Sequence, residues 1–564
     1  MKISSFDIFD TCLVRKCGTP EHFLDVLSFR AFVHEPQEWA RQEFVAARRL
    51  ADQKLWQENP RYTLQDIWAE FDWSHQFLKS KKELCQLEQD LEREMLVPVL
   101  SMRDKVNKCR KNGEKIIFIS DMYLSSEFLI ELLCNYGFYQ EGDSLYVSCE
   151  CGATKVQGEL FEYVCKQENI PSFRHWHHYG DNKKGDYYAP KKLGIKCTLI
   201  NHVYTPYQQQ WSNGYNLGFE YSTILAGLGR ALHYSTEWST HTDFVLDIIA
   251  PFYCSLVYRM MKDAEQKGIK RLYFCARDAY MMYKIALRYK DIFPSIGCQF
   301  LYISRKALYE GDDKAKIAYY EQEELATKKD KVGIVDIRSS GKTLQYLNQY
   351  LTSKGYNGVR GYYYELFCGG ISITSSYAPT NYYTELSDNY KPQMGRSIGG
   401  RFHIFENFFP LNIVSKTINY QVEEGVAKPV YGSDDIDNTL DIEKVYIEQK
   451  EIWAQKHEEL IIEYTDAYIK TGLVWYSDDI FRLANDTLYT FLEKPNKHYL
   501  NALECLYGIM NGKSSFSPYV KKESLFRLLI TRGKDSIWQQ GTLVYNNFDW
   551  FQRLYQKCRY LIFA

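Results

Sequence analysis

At 564 residues the chain is too long for one core and divides into about two to four domains. A formal charge of -2, with both signs mixed along the chain, leaves no electrostatic footprint for nucleic acid or an anionic membrane, so neither is expected as a partner. The 15 cysteines are odd in number and lack paired CxxC spacing, which suits reduced thiols in a cytoplasmic protein; no window approaches roughly 18 uninterrupted apolar residues, which argues against membrane insertion.

In chain order, "ISSF" at residues 3–6 reads as a buried strand, stopped by the acidic loop that holds Asp7, Asp10 and Thr11. From about residue 21 to 110 apolar residues recur at helical spacing, as in "FLDVLSFRAFV" and "LCQLEQDLEREML". The pattern then changes. "KIIFI" predicts a strand running into a polar loop at Ser120, followed by an amphipathic helix that Gly137 ends. "SLYVSCE" predicts a third strand, with Lys155 in the loop after it, and "RHWHHYGDN" a fourth that runs into Asp181 and Asp186. Strands alternating with helices in long crossovers predict a parallel α/β sheet, whose ligands sit at the carboxyl ends of the strands.

Cys149 and Cys151 form the one near pair of cysteines, and a zinc site would need two more ligands in register. The histidines of "HWHH" fall inside the fourth strand, with His175 and His177 sharing a face and His178 opposite. Packing is the expectation for them, since no further His or Cys stands at metal-ligand spacing.

Taken singly, an Asp or Ser after a strand is an ordinary cap or turn former, and a lone Lys an ordinary surface residue. Here four strands in turn end on Asp7 and Asp10, Ser120, Lys155, and the pair Asp181 and Asp186. Crowded carboxylates repel unless a cation lies among them, and hard oxygen donors suit Mg²⁺. A hydroxyl and an ammonium beside that cation would hold the oxygens of a phosphoryl group, leaving Asp7 free to attack.

"ISSFDIFDT", "IIFIS", "GATKVQGELF" and "GDNKKGD", in this order, resemble the four motifs of the haloacid dehalogenase superfamily of Mg²⁺-dependent phosphohydrolases. "ISDMYLS" and "HHYGDNKKGD" are further similar to bacterial members associated with surface-polysaccharide biosynthesis. The resemblance covers residues 1–205, with a helical cap inserted at about 14–104. It implies Asp7 as nucleophile and Mg²⁺ ligand, the backbone carbonyl of Phe9 as a second ligand, Asp181 completing the metal site with Asp186 either a direct ligand or one acting through water, and Ser120 and Lys155 on the transferred group, with Thr11 supporting the loop. One position departs from the family pattern: Phe9 stands where the second Asp acts as acid and base, and Asp10 lies one residue further on, pointing elsewhere.

Beyond residue 206 the strand-loop-helix pattern restarts. "DFVLDIIAPFYCSLVYRMMKDAEQKG" predicts a helix. "KRLYFCARDAYMM", "CQFLYISRKALY" and "DKVGIVDIRSSGKTLQYLNQYL" predict strands, the first ending on Arg277 and Asp278 and the second on Ser304 and Arg305. "SSGKT" is not a Walker loop, because Asp336 occupies the place of its first glycine. "IVDIRSSGKT" is instead similar to the phosphate loop of phosphoribosyltransferases, with Asp336, Ser339, Ser340, Gly341 and Thr343 as candidate substrate contacts; a serine-rich helix cap explains it as well. From about 426 onward amphipathic helices predict a packed helical subdomain without catalytic groups.

The expected architecture is therefore α/β: a Rossmann-like core of the haloacid dehalogenase type with an inserted helical cap over 1–205, a second α/β domain over 206–425, and a helical subdomain over 426–564. The expected activity is Mg²⁺-dependent hydrolysis of a small phosphorylated metabolite through an aspartyl-phosphate. Transfer chemistry in the second domain, or phospholigand binding without turnover, are the competing readings. Oligomeric state is not written in the sequence.

Overall fold

The computed structural model describes residues 2–34, 36–58, 61–213, 221–237, 242–276, 279–339, 342–368, 371–372, 417–432, 441–503, 507–509, 516–518, 520–531, 538–548 and 550. The chain divides into two compact units: Met1–Ser239 with Ala467–Leu473, and Thr240–Asp466 with Val474–Ala564.

In the first unit the strands are β1 (Ile3–Phe6), β2 (Leu13–Arg15), β3 (Leu96–Pro98), β4 (Lys115–Ser120), β5 (Ser144–Val147), β6 (Trp176–Gly180) and β7 (Lys196–Leu199). Five of them form one sheet of order β5-β4-β1-β6-β7, parallel at every pairing. Two wings thus grow outward from β1, which makes its carboxyl end the switch point where such sheets bind ligands. The apolar run of β4 and all of β1 are buried, as strands covered on both faces must be.

The short strands β2 and β3 pair antiparallel and bracket the insertion between them, helices α1 (Pro20–Arg30), α2 (Glu38–Glu58), α3 (Leu64–Glu70) and α4 (Lys81–Met95). Helical periodicity shows clearly in α4, where Leu84, Glu88, Leu91, Glu92 and Met95 make up the buried face. Both glutamates on that face are paired with arginines, described below.

The boundary read at 205 falls inside this unit. Helix Tyr221–Ser235 packs against β2 and β3, and Gly18 and Gly227 approach so closely that a Cβ on Gly227 would lie 2.3 Å from the Gly18 Cα. Such backbone contact is invisible to hydropathy patterning.

The second unit carries its own sheet, in the order Ile371–Ser372, Arg360–Cys368, Lys331–Ser339, Ile269–Cys275, Gly297–Leu301, parallel except for the first pairing. The helical stretch Thr242–Gln266 is long and apolar enough to cross a membrane, yet its apolar window is wholly buried, the hydropathy of a core helix. The expected boundary at 425/426 cuts the turn of an antiparallel pair, Thr417–Glu423 with Val426–Tyr431. Glu424 and Gly425 both take positive φ there, at 50° and 79°, as a tight hairpin turn requires. That pair packs on helix Asp313–Gln322, which ties it to the second unit's sheet layer.

Candidate active site at the tips of the first sheet

Strand β1 delivers Asp7 one residue past its end, where the Asp7 N–H still donates to the Tyr179 carbonyl of β6 at 2.8 Å. The loop then reverses sharply: Asp10 adopts φ 52°, and its N–H donates to the Leu13 carbonyl. A left-handed aspartate is uncommon and costs backbone energy, so the surrounding structure must hold it. The Arg230 guanidinium is 3.5 Å from its carboxylate. Thr11, buried, donates its hydroxyl to Asp7 Oδ2 at 3.4 Å.

Lys155 is the centre of the cluster. Its Nζ lies 2.5 Å from Asp7 Oδ1 and 2.7 Å from Asp186 Oδ1, and all three side chains are buried. The loop that carries it is pinned by Asp121, which accepts the Lys155 N–H on both oxygens. Burial alone would lower the Lys155 ammonium, but Asp186, Asp7 and Asp121 outweigh it and hold the group well above its usual range.

"GDNKKGD" turns in a wide π-type helical loop, Lys183–Tyr188, which returns Asp186 toward Asp181 and the sheet. Gly180 is required for this: a Cβ there would stand 2.4 Å from the Asp186 Cγ. The Asp186 carboxylate receives Lys155 on one oxygen and the Asn182 N–H at 2.9 Å on the other. Burial pushes this carboxyl up, yet Lys155 and His178 hold it well below the carboxylate range.

Asp7, Asp181 and Asp186 each place one oxygen within 4.8 Å of the others, a triad that could hold a metal ion. Burial pushes Asp7 up, with Asp186 and Asp181 adding repulsion against the relief from Lys155. Burial, Asp10 and Asp186 raise Asp181 to about 7. Three carboxylates share one ammonium, so the cluster is short of positive charge, and its hard oxygen donors fit a divalent cation.

Sequence reading missed the support behind Asp186. The Trp176 indole donates to Ser5 Oγ at 2.6 Å, Ser5 lies 2.7 Å from His178 Nδ1, and His178 Nε2 is 3.1 Å from Asp186 Oδ1. With Trp able only to donate, the serine proton goes to Nδ1 and a neutral His178 donates Nε2–H to the carboxylate. Burial lowers the His178 imidazole and agrees with that form. His178 thus packs, as expected for "HWHH", but also orients a carboxylate. His175 does not share a strand face with His177, since it belongs to the tight turn Phe173–His175 before β6.

A cavity of about 400 Å³ opens over the cluster, lined by Asp7, Phe9, Asp10, Ser120, Lys155 and Asp181 among others. Ser120 ends β4 and is buried, on the rim where the sequence placed it. Arg15 of β2 and Arg48 of α2 also line the cavity. Each is matched by a buried glutamate: Arg15 Nη2 to Glu92 at 2.8 Å, and Arg48 Nη2 to Glu88 at 2.6 Å. The Arg15 guanidinium stacks on the Phe9 ring, 4.6 Å from its centroid.

Among the described residues, the second unit's candidates are engaged in local structure. Ser304 caps helix Arg305–Glu310 by accepting the Ala307 N–H, and donates its hydroxyl to the Thr417 carbonyl at 2.5 Å, so it is committed to structure; Arg305 is that helix's first residue. The stretch read as a phosphate loop is strand through Ser339, with Asp336 opposite Tyr363 in the sheet and its Oδ1 accepting the Ile337 N–H. Thr343 lies in the first turn of helix Lys342–Ser353. Arg277, Asp278, Ser340 and Gly341 lie outside the described residues.

No family model matches the chain, and no curated protein matches it. Among solved structures it is similar to a haloacid dehalogenase-type phosphatase from Thermococcus onnurineus, at 19% identity and TM-score 0.27 over 36% of this chain and 87% of that one. A hydrolase of the same type from Bacillus subtilis, bound to magnesium, gives 16% identity and TM-score 0.26 over 36% and 89%. An enzyme of this type from Bacteroides thetaiotaomicron, in complex with magnesium and inorganic phosphate, gives 16% and 0.28 over 36% and 94%.

Proposed function

We propose that the first unit is a Mg²⁺-dependent phosphohydrolase that acts through an aspartyl-phosphate at Asp7 on a small phosphorylated metabolite. The observation that carries this reading is the buried Lys155 ammonium bridging Asp7 and Asp186, with Asp181 beside them at the switch point of a parallel sheet. Asp7, Asp181, Asp186 and the Phe9 carbonyl are the oxygens that would hold the ion. When bound, Mg²⁺ supplies the positive charge that the carboxylate cluster lacks and that a phosphoryl group needs.

Lys155 opposes the burial that pushes the Asp7 carboxyl up, and the positive charge of Mg²⁺, when bound, would add to it in favouring the nucleophilic carboxylate. A carboxylate oxygen of Asp7 attacks phosphorus, the bond to the leaving oxygen breaks, and Lys155 with the Ser120 hydroxyl holds the phosphoryl oxygens. Asp10, although one residue beyond the family position, lines the same cavity, and in this reading it takes the acid and base role: it protonates the leaving oxygen, then takes a proton from the water that cleaves the aspartyl-phosphate. Phe9 cannot do this and instead lies beneath Arg15. Helices α1–α4 are the cap that closes over the cavity and selects the substrate.

A cytoplasmic setting belongs to the same proposal: the described cysteines are free thiols, as a reducing compartment would keep them. Surface-polysaccharide precursors are the substrates that the motif resemblance suggests. Asp7→Asn is expected to lose about 10³-fold or more in Mg²⁺-supported hydrolysis of p-nitrophenyl phosphate, measured on a variant of unchanged thermal midpoint. Retention of wild-type turnover would remove Asp7 from the reaction.

A further inference from the structure

We propose that Arg48 and Asp52 form a donor–acceptor pair selecting a substrate whose non-reacting end bears hydroxyl groups, a polyhydroxylated phosphomonoester rather than a bisphosphate or phosphocarboxylate; this rests on the phosphohydrolase reading above. Both side chains lie on α2 and line the cavity that Asp7 and Lys155 floor. Arg48 is completely buried, with Nε and Nη2 taken by Glu88 at 3.0 and 2.6 Å. Its Nη1 makes no hydrogen bond and lies 3.8 Å from Asp52 Oδ2. A buried guanidinium N–H without an acceptor is costly, and a ligand oxygen would relieve it. Asp52 in turn is held through Oδ1, which accepts the Tyr62 hydroxyl at 2.8 Å.

Charge decides what kind of oxygen. Arg15 and Arg48 are each neutralised by a fully buried glutamate, so they offer the cavity hydrogen-bond donors without surplus positive charge. Asp10, Asp52 and Asp121 line the same space. A second phosphate or a carboxylate would meet these carboxylates, and among the described lining residues the cations Arg15, Arg48 and Lys155 already have carboxylate partners. A hydroxyl donates to Asp52 and accepts from Arg48, satisfying both without adding charge. The cavity of about 400 Å³ is also within the size range of small-molecule sites, roughly 300–1,000 Å³.

The full-length protein with Mg²⁺ is assayed on glucose 6-phosphate, fructose 1,6-bisphosphate, 3-phosphoglycerate and p-nitrophenyl phosphate. We expect kcat/KM for the hexose monophosphate to exceed those for the bisphosphate and the phosphocarboxylate by about tenfold or more. In Asp52→Ala, a change at a partly exposed side chain, the ratio of kcat/KM on glucose 6-phosphate to that on p-nitrophenyl phosphate should fall about three- to tenfold, mainly through KM. The double variant Arg48→Met with Glu88→Gln, which leaves no unpaired buried charge, should lower the same ratio. Preference for the bisphosphate or phosphocarboxylate, or an unchanged ratio in Asp52→Ala, would overturn the inference while p-nitrophenyl phosphate turnover leaves the phosphohydrolase reading standing. Absence of Asp7-dependent hydrolysis of all four compounds would overturn both.

Discussion

The two parallel sheets of this chain use the same device, an apolar strand ending on a polar residue before a helix, and they use it differently. In the first unit the ends of β1, β4 and β6 and the loop after β5 bring Asp7, Ser120, Lys155, Asp181 and Asp186 to one cavity. In the second, Ser304 caps a helix and ties down a strand, and Asp336 is absorbed into the sheet, its Oδ1 on the next backbone amide. A polar strand tip is therefore weak evidence for a site on its own. Among the described residues, what separates the units is convergence with incomplete charge balance: buried carboxylates that outnumber their ammonium on one side, and a Ser304 hydroxyl and an Asp336 oxygen engaged in local structure on the other.

The sharpest way to break this comparison is to remove the ammonium. Lys155→Met leaves Asp7 and Asp186 buried without their shared partner, and we expect a loss of about 3–5 kcal/mol in urea unfolding together with loss of phosphatase activity. A cost under about 1 kcal/mol would mean that the cluster is more hydrated than its burial indicates.

A second test reads the acid limb of stability. Burial, aided by Lys196 and Lys105, lowers the His177 imidazole to about 4, below its ordinary 6.5. The native state then binds fewer protons than the unfolded chain between these values, so stability is lost as pH falls from about 6.5 to 4 and levels off below. Because the ring is only half-buried, the effect is reduced to about 1–2 kcal/mol. His177→Gln should flatten that part of the unfolding profile, and an unchanged slope would assign it to other groups.

The smallest effect expected is in the second unit. Ser304→Ala removes a helix cap and should cost about 1 kcal/mol, seen as a lower thermal midpoint, with phosphatase kinetics unaltered. A tenfold loss of turnover with no change in midpoint would make Ser304 a functional residue and erase the contrast between the sheets.

The core of the first unit was legible because β1 and β4 are short apolar runs and because Asp7, Ser120 and Asp181 stand at or directly after the ends of their strands. The deeper support was not. Ser5 and His178 face each other across the β1–β6 pairing, 173 residues apart, so nothing local marks them as partners. Asp121 accepts the Lys155 N–H from 34 residues away, a contact no local pattern marks. The Arg15–Glu92 and Arg48–Glu88 pairs were hidden for a similar reason, since charges on amphipathic helices read as solvated faces when their partners lie tens of residues away. Strand β7 and strand Arg360–Cys368 also went unread, the first because it is four residues long and only partly buried. Backbone contact at Gly18 and Gly227, and the strand pairing of Glu423 with Val426, lie across the positions where hydropathy patterning places the domain boundaries, and neither leaves a local mark in the sequence.

The most direct test of the account is capture of the covalent intermediate. The Mg²⁺-loaded protein is mixed with acetyl phosphate, quenched in acid within milliseconds, reduced with borohydride and digested for peptide mass spectrometry. The account predicts conversion of residue 7 to homoserine, and of no other aspartate. Steady turnover with residue 7 unmodified, or label on Asp10 or Asp181 instead, would contradict it.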